Sequence, residues 1–288
     1  MAVAGALTIA FSGILVRLAD VEPSTAAFFR CFYALPFLAL LAWRERRLYG
    51  RREAGQSRLA WIAGLFFAAD LIFWHHAIAA VGAGLGTVLA NTQLILVGLA
   101  AWAILGEKPG GRVLAAVPIV LTGIVLISGV VGADAYGSDP ALGVLFGVLT
   151  AIAYSSFLLV LRAGNRDLRR PAGPLFDATL SSTLACAVAG AALKELDLVP
   201  AWPAHGWLVL LAVSAQVIGW LVISTALARL PAARTSLLLT IQPAAAVIFA
   251  MLLVDEDPSW VQLLGIAVVL AGIVYATGSR RTRLPAPG

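Results

Sequence analysis

Ten apolar runs of about 20 residues fill most of the chain: roughly 2–19, 24–43, 59–79, 84–105, 111–130, 141–162, 173–193, 205–228, 232–254 and 259–277. About 20 helical residues cross a hydrocarbon core of ~30 Å, so each run can span a bilayer. Closed β-barrels also satisfy a backbone in lipid, but they need alternating apolar and polar residues, and these runs do not alternate. Composition agrees, with 61% of residues hydrophobic, 12% charged and a mean hydropathy of +0.94. A soluble domain carries about twice that charge fraction. The expected fold class is an all-α polytopic membrane protein with ten transmembrane helices. The first run lacks a basic n-region and a clear cleavage site, so it reads as a helix and not a signal peptide. Cys31 and Cys186 both fall within spans, with neither a disulfide framework nor metal-ligand spacing.

Basic residues set the orientation. Seventeen of the 20 lysines and arginines fall on one side of a ten-helix zigzag, including Arg44, Arg46, Arg47, Arg51, Arg52 and Arg58. The positive-inside rule then places both termini in the cytoplasm, in a bacterial inner (plasma) membrane. The net charge of +5 follows from this bias. Nucleic acid is not an expected partner, because no soluble domain exists to present a basic face.

The chain also repeats itself. With a constant offset of 149 residues, 91–129 aligns with 240–278 without a gap, so that Gln93 meets Gln242, Glu107 meets Glu256, Pro109 meets Pro258 and Gly123 meets Gly272. The reading is a first five-helix repeat at 1–130, a second at 141–278 and a basic cytoplasmic tail at 279–288. Two tandem copies with an odd helix count insert in opposite senses. Inverted repeats of this kind are a transporter architecture, because the halves can exchange inward and outward openings around one central site.

Three stretches carry a family likeness: "STAAFFRCFYALPFLALL", "LGEKPGGRVLAAVPIVLTGIVLI" and its second copy "VDEDPSWVQLLGIAVVLAGIVYA". The chain resembles the EamA-type members of the drug/metabolite transporter superfamily, over essentially its whole length. The resemblance implies efflux of small molecules by alternating access without ATP. The nearest groups are exporters of amino acids and metabolites, including aromatic amino acids. Consistent with this, there is no phosphate-binding loop; Gly82, Gly84 and Gly86 in "VGAGLGTVL" read as close-packing residues. Glu107 and Glu256 end helices just before prolines that help start the next ones. They form hairpins or, alternatively, a gate contact between halves.

Polar groups inside the spans are the candidate substrate site. Asp70 lies near the midplane of helix 3, about 16 Å in at 1.5 Å per residue. A carboxylate there costs ~2.5 kcal/mol or more and should face a cavity or a partner. Arg30 in helix 2 lies at a similar depth. The two either pair or are tied separately to other groups, and together they would offer both charges to a zwitterion. Tyr33 and Phe37 follow Arg30 on one helical face. Trp74 lies one turn above Asp70, flanked by His75 and His76, which either shuttle protons or are buried and hydrogen-bonded. Asn91 and Trp102 share a face of helix 4, and Gln93 and Gln242 are repeat mates. Tyr154 and Ser155 in helix 6, and Gln216 and Trp220 in helix 8, complete the set. Asp177 reads as a helix-dipole cap, and Arg17 as a partner of Asp20 or Glu22 or as snorkelling outward. His205 sits at a distant helix end.

The expected function is therefore export of amino acids or related small metabolites. The alternatives are a multidrug or organic-cation exporter and a phosphate-bearing metabolite exchanger. An intramembrane enzyme built on Ser155 or Ser156 with His76 is the outlying class, without a nucleophile motif. No cofactor or metal is expected. The partners are a small-molecule substrate and membrane lipid; a monomer suffices, and a homo-oligomer is allowed.

Overall fold

The computed structural model describes residues 7–96, 99, 110–131, 134–165, 167, 169–222 and 232–277, for 232–241 and 277 the backbone only. Trp102 and Glu107, singled out above, lie outside the described residues. The elements are α1 (Ser12–Ala19), α2 (Pro23–Phe32), α3 (Leu35–Tyr49), α4 (Ala54–Ala90), α5 (Gly111–Ile127), α6 (Pro140–Gly164), α7 (Ala172–Leu193), α8 (Ala204–Leu211), α9 (Ala232–Leu253) and α10 (Trp260–Thr277). No strand occurs among the described residues. Five helical stretches are long and apolar enough to cross a membrane: Pro23–Tyr49, Ala54–Leu96, Pro140–Gly164, Ala172–Leu193 and Ala204–Val222. Shorter apolar helices cover Leu7–Ala19, Gly111–Ile127, Gln242–Leu253 and Trp260–Ala276. Large apolar side chains face outward along them, such as Leu40, Leu145, Val188 and Leu252. Only lipid makes such a surface affordable.

Three local breaks shape this bundle. Between α2 and α3 the helix is interrupted at Tyr33–Ala34. Pro36 is the cause: it lacks an N–H, and its ring would collide with the carbonyl of Phe32, the last residue of α2. The expected face running from Arg30 through Tyr33 to Phe37 is thereby broken, and Phe37 points outward.

The second break lies within α4, where Gly82 takes φ 87° and ψ 169°. That region is open to glycine and costly for other residues. The chain folds back here, so that a Cβ on Gly86 would stand 3.3 Å from the backbone nitrogen of Ile78. The third break is in α8, which continues as a π-helix over Ala212–Gly219. Pro243, by contrast, leaves α9 continuous.

Packing returns the 149-residue offset in three dimensions. A Cβ on Gly123 of α5 would lie 2.6 Å from Val269 Cγ2 of α10, and one on Gly272 would lie 2.6 Å from Val120 Cγ2. Each contact is the other's repeat mate, and the two helices run antiparallel.

The α2–α3 arm and α7 form a similar pair. Glu45 near the end of α3 accepts hydrogen bonds from the opening amides of α7, Ala172 N (2.8 Å) and Gly173 N (2.7 Å). Glu195, just past α7, accepts from the Ser24 hydroxyl at the start of α2 (2.5 Å), and its carbonyl accepts from Thr25 Oγ1 (2.6 Å). Each carboxylate thus caps its partner's N-terminus, where free amides favour an anion.

Asp177 differs from expectation here, and Arg17, whose side chain is exposed, departs from only one of its two readings. Asp177 pairs with the guanidinium of Arg52 instead of capping its own helix. Arg17 reaches neither Asp20 nor Glu22 within ion-pair distance; its Nε lies 3.9 Å from Glu256. The two ends of the bundle carry opposite charge. Arg44, Arg46, Arg47, Arg51, Arg52, Arg58, Arg162, Arg169 and Arg170 gather at one end, and Asp20, Glu22, Glu195, Asp197, Asp255, Glu256 and Asp257 at the other.

Candidate functional site

A cavity of about 190 Å³ lies between the two repeats. The first repeat contributes Ile9, Ser12, Arg30, Phe67, Asp70, Leu71, Trp74, Thr87, Ala90, Asn91, Gln93 and Leu94. The second contributes Thr150, Tyr154, Leu158, Trp220 and Gln242. Helical spacing explains the convergence. Phe67, Asp70 and Trp74 stand one above another on α4, as do Thr87 and Asn91 beyond the fold-back, and Thr150 and Tyr154 on α6.

The two charges are treated differently. Arg30 is 4% exposed and held from behind. Its Nε donates to Gln216 Oε1 (3.3 Å), whose amide nitrogen donates to Thr179 Oγ1 (3.1 Å), and its guanidinium carbon lies 5.4 Å from the Trp74 ring centroid. Asp70 is 6% exposed and lines the cavity. Among the described residues its carboxylate has no hydrogen bond or ion pair, and Arg30 acts on it only through space. The Arg30–Asp70 contact is therefore absent; the arginine is anchored to an amide and a ring, and the carboxylate faces the cavity.

Further polar atoms there are unpartnered: Thr87 Oγ1, Thr150 Oγ1 and Gln93 Oε1. On the second-repeat side the wall is aromatic. Phe67 stacks on Phe157 with centroids 4.6 Å apart, and Trp220 meets Phe157 (5.4 Å), Tyr154 (5.9 Å) and Phe67 (6.0 Å) edge-on. The result is an apolar, ring-lined chamber with one unpaired carboxylate and a few unmet hydrogen-bonding groups.

Several candidates lie elsewhere. Ser155 shares its hydroxyl between Ala151 O (2.6 Å) and Gln93 O (3.4 Å), a helix-packing bond. Gln216 stands behind Arg30 and does not line the cavity. His75 donates from Nδ1 to Leu71 O (2.6 Å), and its Nε2 is buried without a partner. Tyr33 turns away to meet His205 Nδ1 (2.6 Å), so the histidine read as remote is in fact its partner. His76 donates from Nδ1 to Ile72 O (2.8 Å), leaving Nε2 3.1 Å from Glu195 Oε1. With the Nδ1 proton committed to a carbonyl, the contact needs a proton between imidazole and carboxylate. Burial raises the Glu195 carboxyl, but the hydrogen bonds from Ser24 and His76 outweigh it and hold the group below its ordinary range.

Residues missed by sequence reasoning include Phe67, Thr87, Thr150 and Leu158. A signal existed for the two threonines, each one turn from a residue already chosen, Asn91 or Tyr154. Glu256, read above as a hairpin former or as a contact between halves, makes a contact between halves. It leaves its own hairpin to accept from Ala83 N (2.5 Å) and Gly84 N (3.0 Å), the amides just past Gly82. Burial outweighs these amides and Arg17, and holds its carboxyl above the usual range.

The model of the EamA-like transporter family matches residues 1–129 and again 141–278. The chain belongs to the EamA-like transporter family. The transporter is a multi-pass membrane protein of the drug/metabolite type, built on one motif used twice. Its fold is similar to a solved structure titled only "Crystal structure of protein", with a TM-score of 0.63 at 16% identity, covering 96% of this chain and 94% of that one. No curated protein matches the transporter's sequence.

Proposed function

We propose that the transporter exports amino acids or related small amine-bearing metabolites across the bacterial inner membrane, by alternating access around the central cavity. One observation carries this reading: a partnerless carboxylate, Asp70, faces a ring-lined chamber assembled from both repeats. An ammonium group supplies the missing charge, and aromatic faces favour it further. Arg30, fixed by Gln216, supplies a positive charge nearby for a carboxylate. At about 190 Å³ the chamber is smaller than the ~300 Å³ or more of drug-sized sites, which favours small metabolites.

Ten membrane passes follow if the two arms of α4 either side of Gly82 each cross, and α2 with α3 makes one crossing. The antiparallel return of the Gly123–Val269 contact supports inverted repeats, since a two-fold axis in the membrane plane relates such helices. The arginine-rich end is then cytoplasmic, with both termini. No cofactor or metal is invoked, and one chain suffices.

An organic-cation exporter is the second reading, favoured by Asp70 being unpaired while Arg30 is already engaged. A phosphate-bearing substrate gains no support, because Arg30 is the only cation lining the described cavity. Reconstituted vesicles given amino acids, their methyl esters and quaternary amines, with and without a pH gradient, test the choice. Amino-acid flux that falls at least ~10-fold on Asp70→Asn supports the first reading. Transport of esters and quaternary amines alone would overturn it in favour of the second.

A further inference from the structure

The two helices that bring charge to the chamber meet again at the carboxylate-rich end. There α2 begins, with Arg30 six residues past Ser24, and there α4 nears its Gly82 break, with Asp70 six residues short of His76. Six helical residues are about 9 Å. Glu195 joins the two helices at this level. Its Oε2 accepts from the Ser24 hydroxyl (2.5 Å), and its Oε1 lies 3.1 Å from His76 Nε2.

The two sides of this junction differ in what they need. Toward α2 the bonds need no added proton. Ser24 donates to the carboxylate, Thr25 Oγ1 donates to the Glu195 carbonyl (2.6 Å), and Asp197 N donates to Thr25 Oγ1 (2.8 Å). The start of α2 and the segment past α7 therefore form one unit. Toward α4 the bond needs a proton. His76 spends its Nδ1–H on Ile72 O (2.8 Å), so Nε2 and the carboxylate are bonded only while a further proton sits between them. Without it, a lone pair faces a carboxylate and the contact turns repulsive. Both side chains are partly exposed, 19% for His76 and 22% for Glu195, so water reaches them. The titratable groups nearest the pair along each segment are His75 on α4, Lys194 and Asp197 past α7, and Glu22 before α2. From α6 comes the Phe146 ring, its centroid 4.9 Å from the imidazole.

Further along the bundle, α4 is pinned to α7 by bonds that are indifferent to protons. Ser181 Oγ donates to Trp61 O (2.8 Å) and Ser182 Oγ to Gly64 O (2.7 Å). A Cβ on Gly64 would stand 2.6 Å from Ser181 Cβ, so the two helices touch there. Asp70 lies midway between this pin at Gly64 and the junction at His76, six residues from each.

We propose that His76 and Glu195 form a proton-operated clasp over the carboxylate-rich end of the chamber. With the proton, the clasp draws α4 onto the α2–α7 unit and closes that end. Without it, α4 leans away about the Gly64 pin, Asp70 shifts relative to Arg30, and the chamber opens to water on that side. Acid outside closes the mouth, and alkali opens it. The clasp regulates the chamber of the transport reading above and rests on that reading.

Labelling checks the sign without any substrate. In a chain carrying Cys31→Ala and Cys186→Ala, Thr87→Cys reports from the chamber wall. An impermeant thiol reagent is added outside intact cells at external pH from about 5.5 to about 8, the range in which imidazoles titrate. His76→Gln keeps a permanent donor toward Glu195, so its clasp ignores pH. Dividing the parent rate by the His76→Gln rate at each pH removes the thiol's own titration. That ratio should rise about tenfold across the range. Glu195→Gln should track His76→Gln, because its amide donates to the unprotonated Nε2. A flat ratio overturns the proposal, and so does a falling one. If His76→Gln fails to fold, Glu195→Gln serves as the reference and the same rise is required. A rising ratio without amino-acid flux would keep the clasp and remove the transport reading; intact flux with a flat ratio would do the reverse.

Discussion

Asp70 and Arg30 carry opposite obligations in one chamber. Arg30 is part of the wall: remove its support, and a buried guanidinium loses its bond. Gln216→Leu should therefore lower stability by ~1–3 kcal/mol, the cost of leaving a buried donor unmet, and should weaken flux by letting the arginine swing. Asp70→Asn should leave the melting temperature unchanged or raise it, since it removes an unpaired charge from a low-dielectric site. Melting curves of both variants in detergent check this; a large loss on Asp70→Asn would mean that the carboxylate has a structural partner. Sequence spacing brought Arg30 and Asp70 to the same depth, but not Gln216 to Arg30's side. That bond joins residues 186 apart in sequence, and no periodicity in either helix encodes it. His205 was illegible for the same reason: its partner Tyr33 lies in the other repeat.

At the scale of elements, helix boundaries were readable where chemistry is local, and less so where it is not. Apolar runs announced the helices, and the gap between the third and fourth runs contains the Gly82 break. The interruption of α2–α3 was overlooked, although Pro36 stood in plain view, because an apolar run of 20 residues reads as one helix. The end caps could not be read at all, since Glu45 and Ala172 are far apart in the chain. One of them has a pH signature. The Glu195 carboxyl is held below its ordinary value, so its stabilising effect is present above that value and is lost as pH falls below it, through the depressed value of the folded state. The group is partly exposed, which keeps the effect small. As pH falls from ~5 to ~3, through and below the unperturbed glutamate value of ~4.3, the parent should lose more melting temperature than Glu195→Gln, which starts lower and runs flatter. Parallel curves would show that the His76–Glu195–Ser24 contact contributes nothing.

At the scale of the whole molecule, the excess of arginines at one end and of carboxylates at the other is a statement about sidedness. With Cys31→Ala and Cys186→Ala, the exposed loop position Ser138→Cys should react with an impermeant reagent on intact cells, and Ser279→Cys should not. The opposite pattern would invert every assignment of inside and outside made here. The helix-end caps have a different consequence, one for biogenesis. Glu45 waits for amides more than 120 residues downstream, Ser24 waits for Glu195, and Ala83 waits for Glu256. While the ribosome is still making the second half, the first sits in the bilayer with its helix ends uncapped. A nascent chain of this design is a ward of the insertion machinery until nearly its last helix has emerged, and a truncated product is marked for proteolysis by its own unfinished ends.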